Sequence, residues 1–180
     1  LAGNLQNYIL KDFKGNSAKG NSFSWNTQPT AYALDPADSI NYVSKHDNET
    51  LWDQLQYKHA TSMSIEQRVR AHNMALAIPL VSQGIPFMQL GADLLRSKSM
   101  DRDSYNAGDW FNAVDLTKEN NNWNIGLPNA EKNQQKWPEI IKVSGNPQAA
   151  AQPQDIAYAG DVFQEFLAIR SSSPLFRLTT

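Results

Sequence analysis

Two stretches of the chain gather side chains that can do chemistry. Lys45-His46-Asp47-Asn48 sets an ammonium, an imidazole, a carboxylate and an amide side by side. Such a set can hold a polyhydroxylated ligand, the imidazole donating to one hydroxyl and the carboxylate accepting from one or two. The same four residues also read as a polar turn that caps the next helix, because titratable clusters arise for structural reasons as well. The second stretch is Asp101-Arg102-Asp103-Ser104-Tyr105-Asn106-Ala107-Gly108-Asp109. Its acidic spacing suggests a calcium loop, but an EF-hand wants Gly at its sixth place and a bidentate Glu at its twelfth. Those places hold Asn106 and Asn112, so no metal site is predicted. Arg102 and Asp103 also read as a surface salt bridge. Tyr105 and Trp110 are candidates to stack on a ligand's ring, whereas Trp52 and Trp123 read as core or loop anchors. His59 and His72 lack metal-ligand spacing with His46, and His72 falls on an apolar helical face. Asn48-Glu49-Thr50 fits the glycosylation acceptor pattern; a glycan there would block the first stretch, so the match is taken as chance.

The elements around these stretches follow from periodicity. Ile40–Ser44 reads as a short strand that ends in the first polar cluster. Thr50–Tyr57 is a helical turn with Leu51, Trp52 and Leu55 on one side. Ser64–Ser82 is a helix: Ser64 and Gln67 form a capping box, and Ile65, Val69, His72, Leu76 and Leu80 follow its period. Pro79 is awkward inside it, and Gly84 suits a left-handed cap. Ile85–Leu90 reads as a buried strand. Residues 91–152 are a long polar connection, a length that is usually functional or disordered. Asp155–Arg170 is a second helix, with Ile156, Val162, Phe163, Phe166, Leu167 and Ile169 as its apolar face. Residues 1–39 are loop-like. The order is βαβα, whose home is a parallel sheet. Two strands alone leave faces and edges bare, so the chain is expected to be part of something larger and poorly stable by itself.

Composition removes several classes. The net charge is −2 with no basic stripe, which argues against a nucleic-acid partner. There is no cysteine, hence no disulfide, thiolate metal site or cysteine nucleophile. No apolar run approaches the roughly 18 residues of a membrane span. The start at Leu1, without Met and without a basic stretch leading into an apolar one, predicts a processed product or a piece with no signal peptide of its own.

Asn41-Tyr42-Val43-Ser44-Lys45-His46-Asp47-Asn48-Glu49-Thr50-Leu51-Trp52-Asp53 resembles the last signature region of pullulanases in the α-amylase superfamily. The resemblance continues through Gln83–Phe87, Leu94–Ser99, Asp103–Asn112 and Arg170–Phe176, in the family's order. Leu1–Leu5 is similar to the segment after the sixth barrel helix. The resemblance implies an α/β fold, a partial (β/α)8 TIM barrel: strand 7 at 40–44 and strand 8 at 85–90 with their helices, a long loop at 91–152, and helix 8 within 153–176. The whole of 1–180 would then be the C-terminal part of the catalytic barrel, with 1–39 entering strand 7.

Pullulanases hydrolyse α-1,6-glucosidic linkages in pullulan and branched dextrins with retention, using a nucleophile and an acid/base about 5 Å apart. The resemblance makes Asp47 a third carboxylate that stabilises the transition state. It makes His46, Asn48, Arg102, Asp103 and Tyr105 substrate contacts. The family's nucleophile Asp lies in an Arg-Phe-Asp-type segment and its acid/base Glu in a Gly-Glu-Gly-Trp-type segment. Neither segment occurs here, so the chain alone is expected to be inactive. No cofactor is implied for catalysis; calcium belongs to the parent enzyme if anywhere. The implied partners are α-glucan and the remainder of the barrel, and the implied location of the parent is extracytoplasmic. Two alternatives stay open: a non-catalytic carbohydrate-binding remnant or structural scaffold, and a limit dextrinase- or isoamylase-like debranching enzyme.

Overall fold

The computed structural model describes residues 4–178, so Leu1–Gly3 of the N-terminal resemblance lie outside the described residues. The described chain forms two compact units. One holds the residues up to Tyr42, then Ile78–Phe87, then those from Phe166 onward; the other holds Val43–Ala77 and Met88–Glu165.

The first unit contains more regular structure than its loop-like sequence suggests. Strands β1 (Ile9–Lys11) and β2 (Ser17–Lys19) form an antiparallel hairpin. Asp12 organises the turn: its carboxylate accepts from the Lys14 and Asn16 amides, both at 2.8 Å, and from Asn16 Nδ2 at 3.0 Å. Strands β3 (Ser24–Trp25) and β4 (Gln28–Pro29) pair across Asn26-Thr27, both at positive φ. That conformation matches the right-handed twist of a tight hairpin, and Asn adopts it at little cost. Strands β5 (Ile40–Asn41) and β6 (Ile85–Pro86) pair in parallel, Ile40 opposite Ile85. Both are shorter than the predicted runs, and among the described residues each pairs with one neighbour.

Gly84 makes this pairing possible. It sits at φ +89°, and a Cβ there would lie 2.7 Å from the Pro36 carbonyl and 2.9 Å from the Ser39 carbonyl. Alternate residues of the pair, Ile40, Tyr42, Ile85 and Phe87, are all about half exposed, with Tyr42 and Phe87 edge to face at 6.3 Å. Arg170 closes the unit. Its guanidinium donates to the Leu80, Ser82, Gly84 and Phe176 carbonyls at 2.6–3.2 Å.

The second unit carries the larger apolar core. Helix α1 (Leu51–Lys58) is capped by Thr50, whose hydroxyl accepts from the Asp53 amide at 3.2 Å. Helix α2 (Ile65–Leu80) begins with the expected capping box: the Ser64 amide donates to Gln67 Oε1 at 3.1 Å and the Gln67 amide to Ser64 Oγ at 3.3 Å. Pro79 lies inside its last turn and is buried. Trp52, Val69, Leu94, Leu95, Ile156 and Ala159 pack into one cluster, and Leu51, Leu76 and Ala92 into another.

The expected polar connection at 91–152 is ordered and partly internal. It holds three short helices, α3 (Asp109–Asn112), α4 (Ala130–Asn133) and α5 (Trp137–Ser144), and buries Leu95, Met100 and Ile140. Its polarity has a structural use, since amide side chains replace missing backbone partners: buried Asn121 Nδ2 donates to the Leu95 carbonyl at 2.8 Å. Helix α6 (Pro153–Ser172) follows. Ile156 is buried and Phe163 packs on the core, but Leu167 and Ile169 are exposed, so the predicted apolar face is covered only in its first half.

Candidate functional site

The foundation of the site is a carboxylate the sequence does not single out. Asp53 lies in the first turn of α1 and is fully buried. Its oxygens accept from Ser97 Oγ at 2.5 Å, the Lys98 amide at 2.8 Å and the Met100 amide at 3.1 Å. This pins a segment in which Leu95, Ser99 and Met100 all have positive φ, a conformation that side chains with a Cβ hold only when neighbours impose it. Burial pushes the Asp53 carboxyl up to about 6, against the opposing pull of the Ser97, Lys98 and Met100 hydrogen bonds. No local pattern marks Asp53, because its partners lie 44 to 47 residues away.

Two further buried charges build on it. Lys98 is 2 % exposed, and its ammonium reaches the His46 carbonyl at 3.4 Å. Burial lowers its pKa, while the Asp53 and Asp101 carboxylates act to raise it. Asp101 is fully buried and accepts from the Asp103 amide at 2.8 Å and from Asn133 Nδ2 at 3.0 Å. Asn133 Oδ1 in turn takes the Arg102 amide at 3.2 Å. Lys98 thus braces the turn at His46, and Asp101 shapes the backbone of Arg102 and Asp103. Glu49, also buried, accepts from Gln54 Nε2 at 2.8 Å and pairs with Lys136 at 3.2 Å.

On this frame the predicted residues divide. His46 and Asp47 are open to solvent, 85 % and 59 % by side chain, with His46 Nδ1 3.1 Å from Asp47 Oδ1. Lys45 pairs with the other oxygen of Asp47. That hydrogen bond, with the charges of His46 and Lys45, holds the Asp47 carboxyl below its ordinary range, so it is an acceptor at any pH near neutral. Asn48 is exposed and occupies the left-handed region at φ +63°, which turns the chain between the cluster and α1. Arg102 is exposed, Asp103 half-buried, and Tyr105 stands 80 % exposed.

Trp110 is 66 % exposed, and its indole N–H donates to the Ala107 carbonyl at 2.9 Å. A Cβ on Gly108, at φ +94°, would meet that indole nitrogen at 2.8 Å. Trp52 and Trp123 belong to the core. His72 is buried against Trp52, its Nε2 2.7 Å from the Ala92 carbonyl, and burial lowers its pKa to about 4. Among the described residues no hydrogen bond or ion pair joins Asp47 to Arg102, Asp103 or Tyr105; the two segments are related through Lys98 and Asp53. No group of three or more His, Asp or Glu side chains among the described residues is placed to hold a metal ion.

The arrangement is an exposed carboxylate and imidazole in one segment and an exposed Tyr105 with a half-buried Asp103 in another, the two related through the buried Lys98 and Asp53. It suits a neutral, hydroxyl-rich ligand. Residues 118–180 match the family described as alpha-1,6-glucosidases, pullulanase-type, C-terminal. The chain is 44 % identical over its whole length to Pullulanase 1, chloroplastic, of Arabidopsis thaliana, and 43 % identical over 99 % of its length to a pullulanase of Klebsiella aerogenes. It spans 19 % and 16 % of those relatives. The crystal structure of Klebsiella pneumoniae pullulanase complexed with maltotriose superposes with a TM-score of 0.91 at 42 % identity, over 98 % of this chain and 17 % of that one.

Proposed function

From a likeness to pullulanases that runs the length of the chain, we propose that this polypeptide is the C-terminal part of the catalytic barrel of a pullulanase-type glycoside hydrolase acting on α-1,6-glucosidic linkages. In this reading residues 40–44 are strand 7, residues 85–90 strand 8, and 153–176 contain helix 8. The observation that carries it is the bare β5–β6 pair. A parallel pair with a row of half-exposed Ile40, Tyr42, Ile85 and Phe87 is a sheet that lacks neighbours, and parallel sheets are stable only when extended and covered on both faces. The missing barrel strands are the covering partner.

The chemistry then divides between this chain and the rest. Retaining hydrolysis needs a nucleophile and an acid/base on the two sides of the scissile bond. Asp47, ionised and open, supplies the third carboxylate: it accepts hydrogen bonds from sugar hydroxyls, and its charge favours the oxocarbenium-like transition state over the ground state. His46 donates to a neighbouring hydroxyl, and Asn48 lies beside them. Arg102 and Asp103 bind further hydroxyls, and Tyr105 offers a ring face. The substrates are pullulan and branched dextrins. The location of the whole protein is proposed to be extracytoplasmic, whereas one relative is named chloroplastic. No helix among the described residues is long and apolar enough to cross a membrane.

The test compares the 180-residue chain with the complete reading frame that contains it. The chain alone is expected to release no reducing ends from pullulan. The complete protein is expected to release them, and Asp47→Asn within it to lower kcat by at least about a hundredfold, the usual cost of removing a group aimed at transition-state charge. Turnover by the isolated chain, or an unaffected Asp47→Asn enzyme, would sink the reading.

A further inference from the structure

The turn that carries His46 and Asp47 is anchored by side chains rather than by backbone pairing. Strand β5 ends at Asn41 and α1 begins at Leu51. Among the described residues, the main chain from Tyr42 to Glu49 takes one hydrogen bond, from Lys98 to the His46 carbonyl at 3.4 Å. The contacts of Lys45 and His46 with Asp47 lie inside the turn, so they shape it without tying it to the rest of the unit.

The second tie is Glu49, two residues past Asp47. Its side chain is 3 % exposed. One oxygen accepts from Gln54 Nε2 at 2.8 Å and the other from Lys136 Nζ at 3.2 Å. Gln54 is a local partner, but Lys136 lies 87 residues further along the chain. The Lys136 ammonium also sits 4.7 Å from the centre of the Tyr57 ring, so it is held between a carboxylate and an aromatic face. Its backbone is fixed in turn. The Trp137 indole donates to the Pro128 carbonyl at 2.8 Å, and α5, which starts there, buries Ile140. All these residues belong to the second unit.

Glu49 has no other task nearby. Thr50 caps α1, and Asp53 holds the segment at Ser97–Met100. A buried carboxylate is costly unless a cation and hydrogen bonds replace its water. Lys136 is that cation. Without it the Glu49 carboxylate is driven out toward solvent, and only Asn48, set at φ +63°, separates Glu49 from Asp47. The displacement therefore reaches Asp47. We propose that Glu49 and Lys136 are positioning residues for Asp47: the buried pair fixes where the exposed carboxylate stands, and so ties the rate at the His46–Asp47 turn to the start of α5. This rests on the reading of Asp47 as the third carboxylate.

Steady-state kinetics on pullulan, with the complete protein that contains this chain, test the assignment. A misplacement of about 1 Å costs up to about a hundredfold in rate, so Lys136→Met should lower kcat about ten- to a hundredfold and change KM less than about threefold. Glu49→Gln added to Lys136→Met keeps the Gln54 contact and strands no charge; it should bring kcat back to within about threefold of wild type. In an Asp47→Asn background, Lys136→Met should cost less than about twofold, because the group it positions is gone. Wild-type kcat in Lys136→Met would overturn the proposal. So would a rise in KM in place of the fall in kcat, or a lowered thermal midpoint with unchanged kcat, which marks a purely structural pair. A full loss repeated in the Asp47→Asn background would overturn it too. Should Lys136→Met fail to fold, Glu49→Ala/Lys136→Met is compared with Glu49→Gln/Lys136→Met: the Ala form should be about tenfold slower, and equal rates would refute the tie. An Asp47→Asn enzyme with wild-type kcat would instead refute the reading of Asp47 itself, whatever Lys136→Met does.

Discussion

Replacing Asp53 by Asn should expose a pH dependence that the native chain conceals. Asp53 and His72 are both fully buried in the second unit and titrate in opposite senses. The Asp53 carboxyl is raised from 3.8 to about 6, so the fold prefers its protonated form. Its contribution is fully present below about pH 4 and is lost as pH rises through 6. At about 1.4 kcal/mol per pH unit, the difference between 3.8 and about 6 is about 3 kcal/mol. The His72 imidazole is lowered from 6.5 to about 4, so the fold prefers it neutral. Its contribution is present above pH 6.5 and is lost as pH falls through 4, again about 3 kcal/mol.

Between pH 4 and 6.5 the two terms nearly cancel. Asp53→Asn removes only one of them. The amide oxygen can still accept from the Lys98 and Met100 amides, and the NH2 can donate to Ser97 Oγ, which already accepts from the Ser99 amide at 2.9 Å. Urea unfolding by tryptophan fluorescence at half-unit intervals from pH 4 to 7 reads the outcome. Asp53→Asn should lose about 3 kcal/mol more than wild type on acidification from pH 6.5 to 4, with the two closest in shape above pH 6.5. Parallel wild-type and Asp53→Asn profiles would refute the reasoning.

Asp53→Ala leaves the Lys98 and Met100 amides and the Ser97 hydroxyl without their buried acceptor; it should cost about 3–5 kcal/mol, and proteolysis should begin within residues 95–103. Arg170→Lys cannot reproduce a fork that serves four carbonyls, and should lose about 2–3 kcal/mol in thermal unfolding. Gly108→Ala should displace the Trp110 indole and break its bond to the Ala107 carbonyl, shifting tryptophan emission and, if Trp110 meets sugar, weakening maltotriose binding by about tenfold.

What the sequence disclosed was local, and what it withheld was long-range. The Ser64–Gln67 box and the α2 periodicity are read within a few residues, and each is present. The helices inside 91–152 escaped notice because four to eight residues carry too little propensity to be helical alone; they stand on tertiary contacts such as buried Ile140. The acidic run from Asp101 to Asp109 looked uniform, yet Asp101 is an internal acceptor, Asp103 is half-buried and Asp109 is exposed. Asp53 and Lys98, which hold the candidate site in place, sit in strings whose spacing gives no hint of burial. His46, Asp47 and Tyr105 are exposed, as polar and aromatic residues in loops commonly are, and their proposed roles rest on the resemblance.

Arg170 also bears on the order in which the chain is completed. The carbonyls of Leu80, Ser82 and Gly84 find their donor in a residue made 86 to 90 positions later. At ordinary translation speeds of about 5–20 residues per second, those carbonyls are made roughly 4–18 s before Arg170 exists. For that interval the bend into β6 has no clasp, and the strand it launches can wander or meet other chains. The first unit is therefore closed by a late residue, and a ribosome that stalls before the codon for Arg170 leaves behind a chain with an open seam.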